Sequence, residues 1–280
     1  MGHFSFQVIL EVNSLSKYLF DNLEDLKTFK NDFKTVIVTD IDGTISEIAP
    51  TPEKALVTTV MRNMLVKLKE KFSMVVVISG RSALNAREMV GVDGLLYVGN
   101  HGMEFLKDGE LSRHPDVKKY IPVIKKTGQK LKTGDISSMN GLIFEDKGIC
   151  YSIHYRLSNP SENPRERILK TLHGYPECKK LNISEGRQLV ELKPPVSCDK
   201  GTILQNIIEK YGLEKIIYLG DDITDLDAFD KLKRMQNEGK IRGVSILVLS
   251  SEIPSYIKEN STFFVNGVDE VLKFFQWLFN

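Results

Sequence analysis

Six short runs dense in Val, Ile and Leu, TVIVTD (35–40), SMVVVIS (73–79), LLYVGN (95–100), KIIYLGD (215–221), VSILVLS (244–250) and FFVNG (263–267), each close on polar residues. Little polar alternation interrupts them, which is the pattern of strands covered on both faces. Helical spacings lie between. Thr51-Pro52 is expected to cap a helix whose apolar stripe is Ala55, Leu56, Val60, Met61, Met64, Leu65 and Leu68, and further helices are expected over 202–211 and 223–235. Phe274, Phe275, Leu278 and Phe279, with Trp277 as core, point to a last helix on the sheet. Strand, crossover helix and strand in alternation mean an α/β fold, a doubly wound parallel sheet.

The middle of the chain is of another kind. A hairpin is expected at KDGE (107–110), then an amphipathic stretch (116–132), and then a second hairpin pairing 142–145 with 149–156 about Asp146-Lys147-Gly148. A helix over 164–172 and a third hairpin, 179–183 with 188–192 around SEGR, follow. Helix, strand, strand, written twice, describes a small antiparallel α+β module. At 280 residues the chain has room for two cores. The expected division is an extension over 1–33, with a helix in LSKYLFDNLEDLKTF packed on the core, a main domain over 34–112 and 193–280, and an insert over 113–192 that leaves through Pro194-Pro195.

The 38 Lys and Arg nearly balance the 37 Asp and Glu, so bulk charge favours neither nucleic acid nor a membrane surface as partner. An anionic ligand must then be held by a local site. Three scattered cysteines with no metal-ligand spacing suit free thiols in a reducing compartment. MGHFSFQVILEV shows neither a basic leader nor a long apolar core, and a cytoplasmic location is expected.

Ligands of open parallel sheets bind beyond the carboxyl ends of the strands. There the sequence places Asp40 and Asp42, Ser79, Asn100 and His101, and Asp221 and Asp222, with Asp225 one helical turn on. Carboxylates gathered on one rim repel unless a cation joins them, and oxygen ligands without Cys or His suit a hard ion such as Mg2+. A Ca2+ loop of the EF-hand type fails, because Val38 and Ala49 would fall at ligand positions. A phosphate suits the remaining groups: hydroxyls from Thr44 and Ser79, open backbone at Gly43 and Gly80, and the ammonium of Lys200.

DIDGT (40–44), ISGR (78–81), DKG (199–201) and GDDITD (220–225), in this order, resemble the four motifs of the haloacid dehalogenase superfamily of aspartate-nucleophile phosphatases. The insert between the second and third resembles that superfamily's C2-type cap, more narrowly C2B, on a Rossmannoid core. DIDGTISEIAPTPEKA, GNHGMEF, HYR, EGRQLVELKPP and GDDITDLDAF are similar to trehalose-6-phosphate phosphatases. The resemblance implies Asp40 as nucleophile, Asp42 as proton carrier, Ser79 and Lys200 as phosphoryl ligands, and an aspartyl-phosphate intermediate. For Mg2+ it implies Asp40, Asp221 and the main-chain carbonyl of Asp42, with Asp222 and Asp225 in support. For the substrate it implies Arg187 and Glu191, four apart on one face of a cap strand, and Glu104 from the core. Thr44, Gly80, Arg81, Asn100, His101 and Arg113 complete the substrate set. Arg187 departs from the family pattern, where Lys is common. His154 and Arg156 read as structural.

The resemblance implies hydrolysis of trehalose 6-phosphate, with another phosphorylated sugar (sucrose-phosphate, glycosyl-phosphoglycerate) as the alternative. A sugar-phosphate sensor without catalysis would have lost nucleophile or metal positions, whereas Asp40, Asp42, Lys200 and Asp221 are all present. A trehalose-6-phosphate synthase is the protein partner the resemblance suggests.

Overall fold

The computed structural model describes residues 16–30, 32–250 and 255–280. Its larger sheet has nine strands. From the first edge these are β1 (Lys17–Tyr18), β13 (Phe263–Asn266), β12 (Arg242–Leu249), β11 (Lys215–Gly220), β2 (Thr35–Thr39), β3 (Met74–Ile78), β4 (Leu96–Gly99), β5 (Glu104–Lys107) and β6 (Glu110–Arg113). All neighbours from β1 to β4 are parallel, while the KDGE hairpin adds β5 and β6 antiparallel at the far edge. The strand order places β2 centrally, and all five of its residues are buried. Helices α2 (Thr59–Lys71) and α3 (Ala83–Val90), from crossovers, and α8 (Gly267–Phe279), after the last strand, cover one face, where Met61, Leu65, Phe274 and Phe275 join one core cluster. On the other face, α6 (Lys200–Tyr211) and α7 (Ile223–Asn237) bury Leu204, Ile207, Phe229 and Leu232 in a second cluster.

A separate four-stranded antiparallel sheet forms the cap, in the order β7 (Ile143–Asp146), β8 (Tyr151–His154), β10 (Leu189–Lys193) and β9 (Asn182–Gly186). Tyr151, Ile153, Val190 and Leu192 alternate toward α4 (Ile121–Thr133) and α5 (Pro164–Gly174) and share a core with them. The intervening residues must therefore face away from those helices. Glu145, Ser152, Glu191 and Ser184 form one rung across all four strands, on that other face.

Three expectations are corrected. The single N-terminal helix does not form: β1 is followed by 3-10 turns at Leu19–Asp21 and Leu23–Leu26 and then α1 (Lys27–Lys30). Asn22 donates its amide to the Tyr18 carbonyl at 2.8 Å and breaks the run, and Leu19, Leu26 and Phe29 still reach the core. The part of this extension before residue 16 lies outside the described residues. Thr51-Pro52 opens only a 3-10 turn; the helix begins at Thr59, where the Thr58 hydroxyl accepts from the Met61 amide, and Leu56 and Val60 are exposed. The third cap hairpin is shifted, because Lys179 and Lys180 belong to a 3-10 turn before β9.

The cysteines are free thiols. Among the described residues no helix is long and apolar enough to cross a membrane.

Candidate active site

Register brings the acidic motifs together. Thr39 of β2 pairs with Leu219 of β11, and the Asp40 amide continues the ladder by donating to the Leu219 carbonyl at 3.0 Å. Asp40 and Asp221 therefore leave adjacent parallel strands side by side, and with Asp225 they form a buried cluster whose oxygens lie within 4.8 Å of one another. Lys200 completes it. Asp199 caps α6 by accepting from the Thr202 amide, which makes Lys200 the first helical residue, and its buried ammonium donates to Asp40 at 2.6 Å and to Asp225 at 2.7 Å.

Asp225, expected in support of the metal, lies in that cluster and is also held by several hydrogen bonds. One of its oxygens accepts from Lys200 and the Tyr218 hydroxyl (2.8 Å), the other from the amides of Asp221 (3.1 Å) and Asp222 (3.0 Å). It closes a capping box with Asp222 at the start of α7 and positions Lys200. Asp222 is the cap residue, its carboxylate accepting from the Ile223 amide and lying 3.5 Å from the Arg187 guanidinium.

Burial pushes the Asp40 carboxyl up to about 7 even though Lys200 beside it pulls the other way. Burial, reinforced by Asp40, also raises Asp221 well above the ordinary carboxylate range, against the pull of Arg187. Lys200 is held charged: burial opposes its charge, but Asp225 and Asp40 outweigh burial. Two adjacent carboxyls with raised proton affinity form a site that favours added positive charge. The donor set is all oxygen, as Mg2+ requires. Space is also reserved, since Gly43 has a φ of +88° and a Cβ there would sit 1.8 Å from Asp221 Oδ2.

Above this floor lies a cavity of about 370 Å³ between sheet and cap, lined by Asp40, Asp42, Ser79, Gly80, Arg81, His101, Arg187, Glu191, Lys200, Asp221 and Asp222. Asp42 is gripped by Arg81 through two bonds of 2.7 and 2.8 Å. Arg187 donates to Asp221 Oδ2 at 2.8 Å and to the Asp221 carbonyl. It sits in the two-residue turn between β9 and β10, not on the strand shared with Glu191, so the expected common strand face is corrected. The left-handed Gln188 (φ 55°) completes the turn.

Four expected substrate residues are absent from the cavity lining. Thr44 is fully buried and donates to Asp221 Oδ1 at 3.2 Å. Asn100, Glu104 and Arg113 form a group behind the wall: Glu104 accepts from Asn100 Nδ2 (3.0 Å), the Ala83 amide (3.1 Å) and Arg113 (2.9 Å). An acid met by three donors anchors α3 and leaves little for a ligand.

Of the cap face the sequence reading found Arg187 and Glu191, missed Glu145 and Lys147, and read His154 and Arg156 as structural. Glu145, Lys147, His154 and Arg156 all line the cavity. His154 meets Glu145 at 2.8 Å. Lys147, at the tip between β7 and β8, donates to Glu191 at 2.8 Å and to the Gly80 carbonyl at 3.0 Å, and Glu191 also meets Ser152 and His101, each at 2.8 Å. Burial would raise the Glu191 carboxyl, but Lys147 and His101 overcome it and hold it well below its ordinary range. The alternation in YSIH, with apolar Tyr151 and Ile153 against polar Ser152 and His154, was the available signal.

The trehalose-phosphatase family model matches residues 38–269. The chain is 30% identical over 289 residues to probable trehalose-phosphate phosphatase E of Arabidopsis thaliana, covering 95% of this chain and 77% of that protein. It is 32% identical over 215 residues to trehalose-phosphate phosphatase of Mycobacterium avium (strain 104), covering 75% of this chain but 53% of that protein. In fold it is similar to the C-terminal domain of C. albicans trehalose-6-phosphate phosphatase, with a TM-score of 0.74 at 19% identity over 95% of this chain and 98% of that one. With its motif carboxylates gathered beneath an inserted cap, the chain belongs to the trehalose-phosphatase family of phosphoric monoester hydrolases.

Proposed function

We propose that this chain hydrolyses trehalose 6-phosphate to trehalose and phosphate, with Mg2+ as cofactor and Asp40 as nucleophile. The observation that carries this reading is the convergence of Asp40, Asp221 and Lys200 at the floor of a cavity walled by a polar cap face. Asp40, Asp221 and the main-chain carbonyl of Asp42 would hold the ion. Bound Mg2+ supplies the charge that lets the two carboxylates ionise together and that offsets the phosphoryl dianion.

Asp40 attacks phosphorus: an oxygen–phosphorus bond forms to its carboxylate as the bond to the sugar oxygen breaks. Asp42 gives the departing oxygen a proton, then takes one from the water that cleaves the aspartyl-phosphate. Its grip by Arg81 must loosen for this. The Ser79 hydroxyl and Lys200 hold those oxygens through the transition state. Phosphate monoesters require accelerations of up to about 10^21-fold. Neutral hydrogen bonds at about 1 kcal/mol each fall far short, so opposed charge must do most of the work.

The sugar offers only hydroxyls beyond its phosphate. Glu145, Glu191, Lys147, His154 and Arg156 present acceptors and donors to match from the cap. The test is phosphate release from a panel of sugar phosphates, including sucrose-phosphate, with Mg2+ and with chelator, for the native chain and Asp40→Asn. Preference for trehalose 6-phosphate, lost with chelator and with Asp40→Asn, is expected. Preference for another sugar would overturn the substrate, and indifference to chelator the cofactor.

A further inference from the structure

We propose that Asn100 is a positioning residue that seats the cap hairpin tip on the phosphate-binding turn, a role that rests on the phosphatase reading of the site. Asn100 is wholly buried behind the cavity wall and touches no part of the open space. With His101 it adopts the left-handed backbone region (φ 49° and 56°), a costly conformation for two consecutive side-chain-bearing residues. The bend aims their amides at one target. The Asn100 amide donates to the Arg81 carbonyl at 2.7 Å and the His101 amide to the Ser79 carbonyl at 3.3 Å, so this backbone braces the Ser79-Gly80-Arg81 turn.

The side chain works across the cleft. Asn100 Nδ2 donates to Glu104 at 3.0 Å on the core side and to the Lys147 main-chain carbonyl at 3.3 Å on the cap side. Glu104 is itself fixed by the Ala83 amide and Arg113, and since both neighbours of Nδ2 are acceptors, the amide has one orientation that serves. Its Oδ1 is left buried without a partner, which is rare enough to require an explanation. That arrangement secures the donor to the cap at the acceptor's expense.

Lys147 returns the tie. Its ammonium donates to the Gly80 carbonyl at 3.0 Å and to Glu191 at 2.8 Å. Two bonds of opposite sense therefore tie the Lys147 tip to two neighbouring core loops, one from the Asn100 side chain after β4 to cap backbone and one from the Lys147 side chain to the Gly80 backbone after β3. Through them the rung of Glu145, Ser152 and Glu191 keeps a fixed distance from Ser79. A substrate spanning both must find them in register; one with no sugar need not.

The experiment compares Asn100→Gly, which keeps the left-handed backbone free of strain and deletes the amide, with Asp146→Ala. The latter removes the exposed carboxylate that accepts from the Gly148 amide at 2.8 Å and shapes the tip from the cap side, away from Glu104. Kinetics are measured on trehalose 6-phosphate and on para-nitrophenyl phosphate with saturating Mg2+. Loss of one such bond should raise KM for the sugar phosphate about tenfold in Asn100→Gly and severalfold in Asp146→Ala, with kcat/KM for the aryl ester within about twofold of native. Equal losses on both substrates, or an unchanged KM for the sugar phosphate, would overturn the proposal. Should Asn100→Gly not fold, Asp146→Ala decides by the same criterion. A native chain that prefers another sugar phosphate refutes the substrate assignment alone, and the seating is then read on that sugar.

Discussion

Replacing Lys200 with Met removes the one ammonium that separates Asp40 from Asp225. Lys200 is 3% exposed and makes bonds of 2.6 and 2.7 Å to the two acids, while the Met side chain fills similar space without charge. Breaking a buried pair from one side costs about 3–5 kcal/mol, and in a chain of this size each kcal/mol lowers the melting midpoint by about 2–4 °C, so a fall of roughly 10 °C is expected. The loss should depend on pH with a definite sign. Asp40 already binds its proton more tightly in the folded chain, near 7, than at its ordinary 3.8, so its ionisation costs stability as pH rises through that interval. Without Lys200 that proton is held more tightly still. The deficit in chelator should therefore be smaller at about pH 5.5, where Asp40 carries its proton, than at about pH 8. Turnover should fall about 10²–10³-fold, the usual effect of deleting a group that stabilises transition-state charge. Thermal melts at the two pH values and phosphate release with Mg2+ measure both effects. A variant that melts like the native chain at the higher pH, with turnover within tenfold, would refute the argument that Lys200 neutralises this site.

Asp40→Asn should abolish phosphate release by at least about 10³-fold while leaving the metal-free melting midpoint equal or higher, because it removes a buried acid that is costly to ionise. Gly43→Ala should lose Mg2+-dependent activity in the same assay: its Cβ would sit 1.8 Å from Asp221 Oδ2, at a backbone φ of +88° that disfavours a side chain. Arg187→Ala frees Asp221 Oδ2 from a competing cation, so titration of activity should show half-maximal Mg2+ falling while KM for the sugar phosphate rises.

What the sequence revealed was set by local order. Asp40, Ser79 and Asp221 stand immediately beyond apolar runs, and strands that share direction and register must bring such residues to one rim. The cap was harder. Glu145, Lys147 and His154 gain their meaning from cross-strand neighbours and from a carbonyl in another part of the fold, which spacing along the chain does not encode. The resemblance put Arg187 on a strand with Glu191, although the hairpin was expected to turn around SEGR; the turn falls at Arg187 and a left-handed Gln188. Thr44 and Asp225 were recognisable as motif residues, but their roles as braces for Asp221 and Lys200 are visible only in their hydrogen bonds. The N-terminal extension misled because leucines at helical intervals also suit consecutive tight turns that bury Leu19 and Leu26 separately.

The short strand Lys17–Tyr18 is small beside the rest of the sheet, yet it lies along Phe263 and Phe264, with the Tyr18 ring 5.5 Å from that of Phe264. Removing it would bare a row of unsatisfied main-chain groups flanked by aromatic side chains, the kind of margin that recruits strands from other molecules. The extension thus serves as a selvedge, and trimming the chain back to its catalytic motifs would leave that border prone to fray into aggregates.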